Sequence, residues 1–197
     1  MKKIIIALLL LGAVCSAQNL SYTVPEADAL LVRVDKMGWA YYTDSVYTNQ
    51  ASGLNINNES KRLECNGLGS TTETNYLPAG VSALWDSTAT NIVSGAVGNA
   101  FQIRVSFTVD PVQTTGIHFD VDFDIGTEGS PIIISSRTVT APKSGDPFDV
   151  SIGIPLFSMA TFVENGCAIY IDSTQDSAEI DIYDIGILIV QDYYGSL

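Results

Sequence analysis

Basic residues are scarce in this chain of 197: nine Lys and Arg stand against 22 Asp and Glu, with one histidine. A formal charge of −13 repels phosphate backbones and anionic headgroups, so nucleic acid and peripheral membrane surfaces are excluded as partners. The single histidine, His118, would have to serve any Ser–His–Asp arrangement, and no G-x-S-x-G elbow accompanies it. Zinc fares no better, because one His with Cys65 and Cys167, far apart in sequence, cannot fill a four-ligand set. The acids Glu64, Glu73, Glu128 and Glu164 fall in or near loops, without the aromatic surroundings that raise a catalytic carboxyl. The expectation is a protein that is not an enzyme.

What the chain has is alternation. In residues 101–125, Phe101, Ile103, Val105, Phe107 and Val109 take every odd position, and Ile117, Phe119, Val121, Phe123 and Ile125 repeat the pattern. Strict alternation puts ten apolar side chains on one face of two strands. Asp110-Pro111 and Gly116 supply turn chemistry between them, which predicts an antiparallel hairpin with a longish loop. A sheet with one oily face must bury it, and a second sheet is the usual cover.

The wet face carries His118, Asp120, Asp122 and Asp124. Three carboxylates spaced by two project from one side of one strand, about 7 Å apart. They repel one another unless a cation or hydrogen bonds offset them; Arg104, on the paired strand, is the expected internal partner. Calcium is the metal such a row would suit, with Asp120, Asp122 and Asp124 as its ligands, although calcium-loop spacing is missing. No other cofactor is indicated.

Residues 1–17, MKKIIIALLLLGAVCSA, read as a cleaved signal peptide: Lys2 and Lys3, an apolar core from Ile4 to Val14, then small residues. That core is too short to span a bilayer as a retained anchor. The chain is then expected to be exported, extracellular or at a cell surface, with no membrane attachment after cleavage. Residues 18–29 are polar and read as an arm, and 30–197 as a single domain of ordinary size. The part after residue 17 keeps all 22 acidic residues and loses two of the nine basic ones, Lys2 and Lys3. Solubility is the plain consequence. In an oxidising compartment Cys65 and Cys167 could pair, or both could be buried thiols.

Along the domain, Leu30–Val34, Gly38–Thr43 and Leu54–Ile56 read as strands, and Arg62–Cys65 as a partner for the last of these. Residues 67–99 are the longest poorly patterned stretch, with Tyr76, Leu77, Leu84 and Trp85 as its core contacts. Long irregular connections in compact β domains often carry binding. Strands follow after Pro131, at Phe148–Ile154 and at Cys167–Ile171. In Glu179–Gln191, Ile180 and Ile182 share one phase while Ile185, Ile187 and Ile189 share the other, which predicts a bulge near Tyr183-Asp184. Leu188 and Val190 are apolar as well, so the end of this strand should be covered on both faces, as in a central strand or one packed against a neighbouring subunit. The fold class is all-β: a two-sheet antiparallel β-sandwich, jelly-roll-like, of about nine or ten strands with little or no helix.

Rings that could stack on a sugar are Trp39, Tyr41, Tyr42, Tyr47, Trp85, Tyr193 and Tyr194. Trp39 and Tyr41 share a face opposite Tyr42. Trp85, Tyr193 and Tyr194 are the ligand-binding candidates.

The runs WAYYTDSVYT (39–48), FQIRVSF (101–107), Asp124-Ile125-Gly126 and FVENGCAIYI (162–171) resemble stretches of small virion-associated proteins of marine tailed phages. The last is also similar to the C-terminal half of tumour-necrosis-factor-like jelly rolls. The resemblance covers most of 35–192 and implies a head-decoration, fibre or tail-associated jelly roll on a virion surface, often trimeric. The leading expectation is therefore a structural or adhesive β-sandwich displayed on a particle or appendage, self-associating or assembled with other surface or virion proteins. The alternative is a secreted bacterial carbohydrate-binding module with a glycan as partner.

Overall fold

The computed structural model describes residues 37–112, 117–127, 129–141, 146–174 and 178–193. The leader, the arm, the strand expected at Leu30–Val34, Glu128, Tyr194 and the side chain of Tyr193 lie outside the described residues. The remainder is a two-sheet antiparallel sandwich of eleven described strands with one short α-helix and a 3-10 turn at Gln50–Ser52.

The strands are β1 (Gly38–Thr43), β2 (Leu54–Asn57), β3 (Ser60–Arg62), β4 (Trp85–Asp86), β5 (Asn91–Ile92), β6 (Asn99–Pro111), β7 (Ile117–Asp124), β8 (Ile133–Ala141), β9 (Phe148–Phe157), β10 (Cys167–Asp172) and β11 (Glu179–Tyr193). The helix α1 (Ala160–Asn165) follows β9. One sheet runs β1-β11-β6-β9, with β2 also on β11; the other runs β4-β5-β10-β7-β8, with β3 on β10. From β5 to β11 every connection but one crosses between the sheets, the exception being β7 to β8, which pair as antiparallel neighbours; this is jelly-roll connectivity.

The ten alternating apolar residues of 101–125 are all buried. Their strands do not pair, however. β6 lies between β11 and β9, whereas β7 lies between β10 and β8 in the opposite sheet. The expected hairpin is thus an arch across the core. Period-2 patterning says which face is covered but not which strand is the neighbour. A second expectation fails for the same reason: Ser60–Arg62 pairs with β10, while Leu54–Asn57 pairs with β11.

The phase change in β11 is realised as predicted. Its register against β6 shifts between Tyr183 and Gly186, and Asp184 adopts a left-handed φ of 53°. Aspartate tolerates that region better than most residues. The bulge lets Ile180 and Ile182, and then Ile185, Ile187 and Ile189, all reach the core. β11 is central, the first of the two expected settings.

Cys65 and Cys167 are free and buried, and burial pushes their thiols up to about 11 and about 12. Neither is a reactive thiolate at neutral pH. Among the described residues no helix is long and apolar enough to cross a membrane.

Candidate functional site

The outer face of the five-stranded sheet holds a groove of about 690 Å³. Its floor follows from strand register. Outward residues of β6 (Arg104, Ser106, Thr108) stand beside outward residues of β9 (Ser151, Asp149) and of β11 (Leu188, Asp184). Most are short, and glycines interrupt the rows at Gly186 and Gly153, so the sheet surface is left low. Arg104 Nε donates to Ser151 Oγ at 2.7 Å, and Thr108 Oγ1 donates to Asp149 Oδ1 at 2.9 Å. Arg104 therefore has its partner on β9, not among the aspartates of β7. Those lie on the other sheet.

The groove's wall comes from β1 and the loop beside it. Ala40 and Tyr42 point into the core, so Trp39 and Tyr41 point out. Residues 73–78 run along β1 as a substitute edge: Tyr41 and Glu73 exchange backbone bonds at 2.8 Å each, and Trp39 N–H donates to Tyr76 O at 2.8 Å. Gly38 permits this approach, since a Cβ there would sit 2.6 Å from Pro78 N. The Tyr76 ring then stacks on Trp39, with centroids 4.8 Å apart and planes inclined by 13°. Tyr76, expected in the core, is instead 57% exposed. Glu73 and Trp39 both line the groove. At its end the bulge turns the exposed carboxylate of Asp184 towards the same space.

The outer face of the other sheet is acidic. Asp120 stands directly across from Asp172, and Asp122 across from Tyr170. Asp122, Asp124, Asp172, Tyr170 and Ser60 help line a smaller cavity of about 330 Å³. The three aspartates do not share one role. Asp124 Oδ1 accepts from the backbone N–H of Gly126 and of Ile132, both at 2.7 Å, and so ties down the loop after β7. Asp122 is 8% exposed and its Oδ1 has no hydrogen-bond partner. Among the described residues no three His, Cys, Asp or Glu side chains converge as a metal site. That includes the three aspartates taken from the sequence as calcium ligands.

Burial pushes the Asp122 carboxyl above the usual range; a bond from Ser136 opposes this, and Asp120, Asp172 and Asp124 add to the rise. A raised folded-state pKa means that the native chain holds its proton more tightly, so this group weakens the fold as pH rises past the ordinary carboxylate range. Asp122→Asn is accordingly expected to be more stable than the parent at neutral pH. The gain should shrink below about pH 4, where the unfolded carboxyl is protonated too. Urea melts at the two pH values check both parts, and a destabilised variant at neutral pH would contradict them.

Trp85 does not reach a ligand. It is 3% exposed, and its indole N–H donates to Cys65 O at 2.8 Å, so it is a core ring with its polar atom satisfied. Tyr194 and the Tyr193 side chain lie outside the described residues. His118 is exposed on β7.

Fold and surface together define a jelly-roll β-sandwich with a polar, aromatic-walled groove on one sheet. No protein-family model matches the chain, and no curated protein matches it. Among solved structures it is similar to the PRD1 vertex protein P5, at 15% identity and a TM-score of 0.40, over 81% of this chain and 73% of that one. It is also similar to the Eiger TNF from S. frugiperda, at 9% identity and a TM-score of 0.47, over 82% of this chain and 96% of that one.

Proposed function

We propose that this chain is a non-enzymatic adhesive β-sandwich displayed on a particle or appendage, and that the groove face is its recognition surface. The groove carries the reading: its wall holds the outward rings of Trp39 and Tyr41, and its lining offers both a guanidinium and carboxylates. Its polar side chains bond to one another across the strands, as in a preformed binding face.

Display in copies needs a second surface. Val97, Phe157 and Met159 are 62%, 63% and 53% exposed, and they flank one junction, where Gly98 N–H donates to Ser158 O at 2.8 Å. Clustered exposed apolar side chains at one end of a sandwich suit contact with a neighbouring copy. Sedimentation velocity tests this reading. Oligomers are expected, and Phe157→Ser should shift them towards monomer. A chain that sediments only as monomer would count against display.

A further inference from the structure

Resting on the groove as the recognition face, we infer that its ligand is a neutral pyranose-containing glycan and that anionic glycans are turned away. One face of the Trp39 indole is covered by Tyr76, which pins the ring where it lines the groove. A ring fixed in this way offers apolar surface to the C–H face of a sugar without losing rotamer freedom on binding. Leu188 extends the apolar part of the floor.

The polar part suits hydroxyl groups. Glu73, Asp149 and Asp184 are acceptors, and sugar hydroxyls donate well to carboxylates. Arg104 has five N–H donors, of which the Nε–H is engaged by Ser151. Three carboxylates against one guanidinium leave the groove negative, so a uronate or sialate would meet like charge. A neutral polyol meets none. The volume, about 690 Å³, falls in the ordinary range for small-ligand sites.

Gly153 supplies a test that leaves the sandwich intact. It pairs with Arg104 on the groove face, and a Cβ added there would meet only Ile103 O, at 3.8 Å. The Cβ of Gly153→Trp is thus accommodated, and its indole, rising beside Arg104, should obstruct the groove floor.

The experiment is titration calorimetry of the full chain against cellohexaose, laminarihexaose, mannohexaose and oligogalacturonate. Binding to at least one neutral hexasaccharide is expected, with oligogalacturonate weaker by tenfold or more, on the order of one like-charge contact. Trp39→Ala and Gly153→Trp should each weaken the neutral ligand about thirtyfold or more, the size of an aromatic hot spot. Tyr170→Phe, on the other sheet, should leave it unchanged, and melting curves confirm that the variants are folded. Binding of no neutral probe overturns the inference. So does binding indifferent to both groove variants, or oligogalacturonate binding as tightly. An oligomer that binds none of the sugars loses this inference alone; a monomer that binds a neutral one keeps it and loses the display reading.

Discussion

Phe119→Ala should lower the unfolding free energy by about 4 kcal/mol, a large part of the 5–15 kcal/mol that holds a typical domain together. Phe119 is wholly buried in the first half of β7, paired with Val139 of β8 and one position before the pairing with β10 begins. Its removal deletes a large ring from the layer between the sheets and leaves a cavity bounded by strands that cannot close over it. His118, one position earlier, is exposed, and His118→Ala should change stability by less than about 0.5 kcal/mol. Urea denaturation of both variants reads the contrast as a shift of midpoint at similar slope. Equal losses from the two would falsify the placement of β7's alternate residues.

Asp44→Ala is expected to cost nearly as much, about 3 kcal/mol, for a different reason. The Asp44 carboxylate is 8% exposed and accepts three backbone bonds: from Val46 and Tyr47 N–H at 2.6 Å each and from Asn66 N–H at 2.8 Å. Alanine leaves three donors without their acceptor, in a place where water reaches poorly. Asparagine keeps one of the two oxygens, so Asp44→Asn should fall between alanine and the parent. The turn held by these bonds also meets the β11 bulge, because Asp184 N–H donates to Tyr47 O at 2.8 Å. The alanine variant should therefore loosen the Asp184 end of the groove. Faster amide exchange at Ile185 and Gly186 than in the parent, at a temperature where both are folded, is the local readout.

How much of this was legible depends on the range of the signal. Alternation in 101–109 and 117–125 is local, and all ten of its residues are in the core. The bulge was legible because a phase change within one strand has no other physical solution. Strand partners are set by contacts between distant residues, so the separation of β6 and β7 into different sheets had no local sign. Once they separate, Arg104 cannot serve the β7 aspartates, and that pairing fails with the hairpin. The groove was half visible: Trp39 and Tyr41 share a face in any strand reading. Glu73 and Tyr76 join them only because β1 has an open edge and Gly38 admits a backbone there. Trp85 misled because a tryptophan in an irregular stretch reads equally well as anchor or as platform; its bond to Cys65 O decides for anchor.

The position of β11 has a bearing on how the molecule is made. It pairs with β1, β2 and β6, so the five-stranded sheet has no middle until residues 179–193 are available. β1 and β6 must wait for a strand that begins 80 residues beyond the start of β6 (179 − 99). A chain still on the ribosome holds two separate flanks of a sheet and no means of joining them. Such non-local pairing makes folding slow and leaves the nascent chain open until residues 179–193 have emerged. For a protein that must be threaded elsewhere before it folds, this delay is useful. For one that stays, it is a period of exposure.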